Sequence, residues 1–255
     1  MVKKPETLIY IKGDMNLLER KVFNYLLNLI KNDTSDENDF YHTSYADIQT
    51  MLKIGGYENI SKILKKLNRY KSDISILKDR QKDIRLIKRI GNYDKYKIKI
   101  KFPKEIINMV LQDNGVSFAY FNISNIAQFR SRFSLIIYEL IIKYYNPSKS
   151  LVQIPHLKIE LFRELMGLVN KFKTNYHLKH KVLNVIIEEI NTKTDFKIEA
   201  NLIKKNGSRK FNYVSFKFKK IKKKSVKKIE EKPILDMELM EAFVNDRDDK
   251  TPIGW

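Results

Sequence analysis

Apolar residues at Leu18, Val22, Tyr25, Leu26, Leu29 and Ile30 recur with a helical period, which predicts an amphipathic helix over Met15 to Lys31. After the polar break NDTSDEND, the segment SYADIQTML opens on Ser44, a good N-cap, and ends in the glycine-containing turn KIGGYEN. From Asn59 to Tyr70 the helical period returns, with Ile60, Ile63, Leu64 and Leu67 inward and Lys62, Lys65, Lys66 and Arg69 outward. The pattern then switches to alternation. DIRLIKRI and KYKIKIKF flank GNYD, the signature of a hairpin. Pro103 opens a helix through Leu111, and FAYFNI reads as a short strand at a domain junction. Asn125 to Tyr145 is predicted as one long helix burying Phe129, Phe133, Ile136, Ile137, Leu140, Ile141 and Tyr144, stopped by Asn146 and Pro147.

The second half then repeats the plan of the first. HLKIELFRELMGL, from His156, reads as a helix, and Asn175 to Asn191 as another, with Leu178, Val182, Leu183, Val185, Ile186 and Ile190 facing a core. Two alternating strands follow, joined around Asn206 and Gly207. Helix, turn, helix and hairpin is the order of a winged helix. The expected fold class is therefore α+β, with two tandem winged-helix domains, each a helical bundle carrying a helix-turn-helix and a β-hairpin wing. The domains are placed at 1–120, 121–222 and 223–255. The last comprises the end of a lysine run, in which eight of the twelve residues Lys217 to Lys228 are Lys, and an acidic tail. That tail, Ile229 to Trp255, has eight acidic residues against three basic ones and is expected to stay disordered unless LDMELMEAFV docks as a short amphipathic helix.

Charge narrows the partner. The 255 residues carry 50 Lys and Arg against 30 Asp and Glu, a formal net charge of +20, the footprint of a protein that binds a polyanion. A compositional bias toward Lys, Asn and Ile could inflate lysine, but it would not depress the acids. With no cysteine, a disulfide framework, a thiolate zinc site and a thiol nucleophile are excluded. The opening MVKKPETLIYIKGD lacks the apolar run of a signal peptide, and no stretch is long enough to span a membrane, so a soluble, cytoplasmic protein is expected.

In a helix-turn-helix the N-terminal residues of the second helix meet base edges in the major groove. Opposite the core face here stand Asn175, His177, His180, Lys181 and Asn184. Asn suits adenine and Lys suits guanine. Lys171, Lys173 and Thr174 lie in the preceding turn, where phosphate contact is expected. The hairpin tip KKNGSRK offers Lys204, Lys205, Arg209 and Lys210, with Arg209 best suited to a narrow minor groove. In the first domain, Lys62, Lys65, Lys66 and Arg69 form a face of long point charges that suits phosphates more than sequence. For each of these residues a plain solvated face is the competing reading.

Catalytic patterns are weak. His177 and His180 are three apart, but no carboxylate or third histidine completes a metal site, and His42 and His156 stand alone. There is no G-x-x-x-x-G-K-S/T phosphate loop. A strand-cleaving tyrosine such as Tyr176 or Tyr213 would lack the histidine pair that holds a nickase metal. No enzyme, metal or cofactor is expected.

LIYELIIKYY, LFRELMGL, YHLKHKVLNVIIEEINTKTDFKIEA and GSRKFNYVSFKF together resemble the initiator replication proteins of iteron-containing, theta-replicating bacterial plasmids. Glu189, Ile190, Asn191, Thr194 and Asp195, followed by the basic hairpin, are the specific part. LIYIKGDMNLLERKVFNYLL extends the likeness to about residues 8–220. The resemblance implies two tandem winged helices, monomers that bind repeated origin DNA, and dimers, formed through the first domain, that repress their own promoter. It also implies base reading by the second domain, backbone contacts by the first, and host replication proteins as further partners. Unlike the family pattern, the helix from Asn175 has no arginine. A tandem winged-helix transcriptional regulator is the alternative, and composition does not separate the two.

Overall fold

Asn16 starts the first long helix: its side chain accepts from the Glu19 N–H at 2.9 Å while the Glu19 carboxylate accepts from the Asn16 N–H at 2.9 Å. This capping box satisfies two donors that the helix would otherwise leave open. Ser44 and Asp47 form the same box on the helix that opens the first helix-turn-helix, as its serine predicts. The computed structural model describes residues 1–11, 15–32, 35–76, 79–92, 94–111 and 117–221, with backbone alone over 72–76 and 79–83. The distal lysine run and the acidic tail, including the helix predicted there, lie outside the described residues.

The order of elements is β1 (Val2–Pro5), α1 (Glu6–Ile9), α2 (Leu17–Lys31), β2 (Tyr41–Ser44), α3 (Tyr45–Leu52), α4 (Tyr57–Arg69), β3 (Lys71–Ile76), β4 (Asp79–Arg85), β5 (Arg89–Asn92), β6 (Lys97–Lys101) and α5 (Lys104–Leu111). The second half follows as β7 (Phe118–Phe121), α6 (Ile123–Ala127), α7 (Arg132–Tyr144), β8 (Val152–Lys158), α8 (Ile159–Leu165), α9 (Asn175–Leu178), a π turn over Lys179–Leu183, α10 (Asn184–Lys193), β9 (Phe196–Lys204) and β10 (Phe211–Lys220). Two three-stranded sheets have the same topology, β2-β6-β5 and β8-β10-β9, each with its wing hairpin beside the strand that leads into the helix-turn-helix.

The duplication extends to the N-terminal elements. Strand β1 pairs antiparallel with β7, Val2 opposite Phe121 and Pro5 opposite Phe118. Helix α1 packs on α7, and reciprocally α6 packs on α2. Antiparallel pairing with reciprocal packing relates the two halves by an approximate twofold, the logic of an isologous interface built inside one chain.

Several predicted elements are redrawn. Asn125 to Tyr145 is not one helix: α6 ends at Ala127, and α7 restarts at Arg132, where Ser131 accepts from the Phe133 and Ser134 N–H groups at 3.1 and 3.4 Å. Residues 134 to 141 are all buried, because α7 is covered by its own domain and by the first; a helix buried all round has no stripe to read. Phe133 and Tyr144 are half-buried.

His156 to Lys158 are strand, not helix. Pro155 interrupts the ladder there: Pro155 and His156 of β8 stand opposite the single Ser215 of β10, a bulge that takes up the extra residue. In the first domain, DIRLIKRI is not one strand of a wing: β4 ends at Arg85 and pairs with the unanticipated β3, while β5 from Arg89 pairs with β6. The buried Leu86 and Ile87 make the turn between them.

Candidate nucleic-acid interface

The turn of the second helix-turn-helix is shaped by one side chain. Arg163 on α8 donates to the carbonyls of Lys171 (2.9 Å), Phe172 (2.9 Å), Lys173 (3.1 Å) and Leu168 (3.4 Å). A planar five-donor guanidinium can gather carbonyls that point inward from a tight turn. Phe172 sits at φ 51, a left-handed conformation that a phenylalanine adopts only when its surroundings hold it. Thr174 then caps the helix, accepting from the His177 N–H at 3.2 Å.

Beyond the cap the helix runs to Lys193, but it widens into a π turn in which the Asn184 N–H reaches back to the Lys179 carbonyl. The extra residue lets both Val182 and Leu183 reach the core while Lys179, His180 and Lys181 all stay exposed. Such turns occur mostly as single insertions in α-helices, often at functional sites. Leu178, Ile186 and Ile190 are buried as the spacing predicts, whereas Val185 is only half-buried. Asn175, His177, His180, Lys181 and Asn184 are all exposed, as are Lys171, Lys173 and Thr174.

The helix is bolted down at its other end. The Glu189 carboxylate, 8% exposed, accepts from the Arg130 and Ser131 N–H groups at the start of α7 and pairs with Lys193. Burial alone would push its pKa up, but the hydrogen bonds from Lys193, the Arg130 N–H and the Ser134 side chain outweigh it and hold the carboxyl below its ordinary value. Asn191 accepts from the Ile198 N–H at 2.8 Å, and Thr194 both donates to the Ile190 carbonyl and accepts from the Phe196 N–H. Asp195 pairs with Lys220 at 3.2 Å. The residues of the EIN–TD pattern thus fix the helix to α7 and to the root of the wing.

At the wing tip, Gly207 at φ 78 makes the turn with Asn206, the Ser208 N–H donates to the Lys205 carbonyl at 2.9 Å, and the Asn212 side chain accepts from the Lys205 N–H. Lys204, Lys205, Arg209 and Lys210 are exposed around it. Between wing and helix lies a cleft of about 400 Å³, lined by Asn175, Tyr176, Lys179, His180 and Leu183 on one side and Ala200, Asn201, Leu202 and Phe211 on the other. The structure therefore brings Asn175 and His180 together with the wing. The sequence names Tyr176 only as a strand-cleaving candidate and leaves it, with Lys179 beside it, out of the DNA-facing set; Tyr176 is 67% exposed, with its ring 4.4 Å from that of His180. An exposed tyrosine in the first turn of a recognition helix was the available signal; the π turn has none in a hydrophobic pattern.

On α4, Lys62, Lys65, Lys66 and Arg69 are exposed as predicted. Lys66 is not simply available, since it reaches the Glu19 carboxylate at 3.5 Å. Tyr213, the other tyrosine considered for strand cleavage, is half-buried in β10, with its ring 6.2 Å from that of His156. Among the described residues no three His, Asp or Glu side chains converge in the manner of a metal site, and no helix is long and apolar enough to cross a membrane.

Two helix-turn-helix units, each with a wing, joined about an approximate twofold in a chain of charge +20, define a tandem winged-helix protein of the nucleic-acid-binding kind. Its sequence matches the family described as "Initiator Replication protein, WH1" over residues 1–142 and that described as "Initiator Rep protein, WH2" over residues 158–230. The chain belongs to the initiator replication protein family. Among solved structures it is similar to one described as "Crystal structure of Pi initiator protein in complex with iteron DNA", with a TM-score of 0.68 and 20% identity, over 86% of this chain and 96% of that one. No curated protein matches the sequence.

Proposed function

We propose that this chain is a plasmid replication initiator that binds repeated origin sequences, iterons, as a monomer and represses its own promoter as a dimer. The observation that carries this reading is the exposed row from Lys171 to Asn184, set on a helix-turn-helix and flanked by a basic wing, in a chain of the initiator family. The similar Pi initiator is bound to iteron DNA in its structure, which supports the same ligand here.

In this account the second domain reads bases. Asn175, His177, Lys181 and Asn184 enter a major groove, His180 lines its edge, and Lys171, Lys173 and Thr174 hold the adjoining phosphates. Lys204, Lys205, Arg209 and Lys210 follow the backbone into the next minor groove. The first domain adds backbone contacts through Lys62, Lys65 and Arg69, with Lys66 shared with Glu19, and supplies the dimer surface. Family membership favours this over a regulator with no initiator role. The chemistry is binding and duplex distortion in the bacterial cytoplasm, with host replication proteins recruited afterwards.

The test is selection of binding sites from random duplex DNA, followed by footprinting on direct and inverted repeats of the selected site. Protection of every copy in a direct array, together with replication in trans of a plasmid bearing that array, is the expected result. Binding to the inverted repeat alone, with no origin activity, would instead make the protein a regulator.

A further inference from the structure

The interface between the two halves is tied by charge at its centre. Glu139 of α7 is fully buried, and its carboxylate accepts from Asn24 Nδ2 at 2.7 Å, from Lys4 Nζ at 3.0 Å and from the Arg20 guanidinium. Lys4 also donates to Asn24 Oδ1 at 2.8 Å, and Arg20 to the Ile9 carbonyl at 2.9 Å. Lys4 and Arg20 are buried as well. Two further ties flank this cluster. Lys143 of α7 pairs with Glu6 of α1 near the Tyr10–Tyr144 hydroxyl contact, and Lys21 of α2 donates to the Ala127 carbonyl of α6 at 2.7 Å. An apolar interface tolerates sliding and rotation, whereas a buried carboxylate with its donors is satisfied in one arrangement. Buried ionic groups are poor sources of stability, and their best-attested use is to set register.

We propose that Glu139, held by Lys4, Arg20 and Asn24, is a positioning residue that fixes the separation and rotation of the two winged helices, and so the spacing of the two DNA segments the protein accepts. The inference rests on two-headed DNA binding as proposed above. A rigid joint makes the second head's contact intramolecular only on DNA with matching spacing. A loosened joint accepts several spacings, each with less gain.

The experiment uses the full chain as wild type, Glu139→Gln and Lys4→Met, with circular dichroism melts confirming folding. Probes are the selected site, the same site with two base pairs inserted between its two protected segments, which rotates them by about 70°, and a half-site bearing only the second domain's segment. Wild type is expected to lose about 100-fold in affinity on the insertion, the avidity scale of a matched rigid joint. Glu139→Gln is expected to bind the selected site about tenfold more weakly, to lose less than about threefold on the insertion, and to bind the half-site like wild type. Lys4→Met, which keeps the Arg20–Glu139 pair, should fall between and carries the test if Glu139→Gln does not fold. A folded variant that keeps the wild-type spacing penalty, or loses half-site affinity in the same proportion as full-site affinity, overturns the inference. Two-headed binding itself fails in a different place: wild type would then show a single protected segment.

Discussion

Replacing Glu189 with Ala should loosen the recognition helix without touching any DNA-facing residue. Its carboxylate satisfies the Arg130 and Ser131 N–H groups and pairs with Lys193, with its side chain 8% exposed. Removing it leaves two N–H donors without their acceptor at a half-buried helix start. The Ser131 hydroxyl is already engaged with Phe133 and Ser134 and cannot serve them. An unsatisfied buried donor costs about 1 to 3 kcal/mol, and water reaching the exposed edge recovers part of that, so the loss is about 2 to 4 kcal/mol in all. In a protein of this size that lowers the melting temperature by about 5 to 15 °C. Glu189→Gln, which keeps one acceptor but turns an amide toward the remaining donors, should lie between. Thermal melts at neutral pH read the effect, and a fluorescence-anisotropy titration should show specific binding falling more than binding to random duplex, because only base reading needs the helix in register. A Glu189→Ala melt within about 1 °C of wild type would show that Glu189 does not anchor the helix.

Other outcomes follow from the same geometry. Lys181→Ala or Asn175→Ala should cost about 1 to 3 kcal/mol on the selected site and relax preference at one base position, measured by competition with single-base variants. Lys204→Ala or Lys205→Ala should weaken all sequences alike and reduce the slope of log K against log salt by about one. Burial, reinforced by Arg20 and opposed by Glu139, lowers the Lys4 pKa to about 7, from 10.5. Between those values the unfolded chain holds a proton that the folded chain has released, so the Lys4 contribution to stability rises with pH across that window. Denaturant unfolding of Lys4→Met at pH 7 and pH 10 should therefore show a smaller rise than wild type, and an equal rise would contradict the assignment.

The duplicated helix-turn-helix and wing were legible because each element has one buried face. The Ile60, Ile63, Leu64 and Leu67 stripe on α4 and the Asn206–Gly207 turn of the second wing are local signals, and both stand where the pattern puts them. Elements whose environment is supplied by distant chain were not legible. Residues 134 to 141 are buried on all sides, so the Asn125 to Tyr145 pattern ran through the break that Ser131 makes. His156 to Lys158 read as helical from their neighbours, but β10 pairs with Leu157 and Lys158 and draws the segment into a sheet. The candidate site divides in the same way. Exposure of Asn175, His177, His180, Lys181 and Asn184 followed from what the core face excludes, whereas the π turn, the Arg163 clamp and the Glu139 cluster depend on contacts that leave no period in the sequence.

Both winged helices are proposed to engage one duplex, with the second reading its bases. Hydroxyl-radical footprinting of the wild-type chain on its selected site decides this. Two protected segments are expected on one face of the DNA, about one helical turn apart, with base preference concentrated in the segment that Lys181→Ala weakens. A single segment, or two on opposite faces, would contradict it.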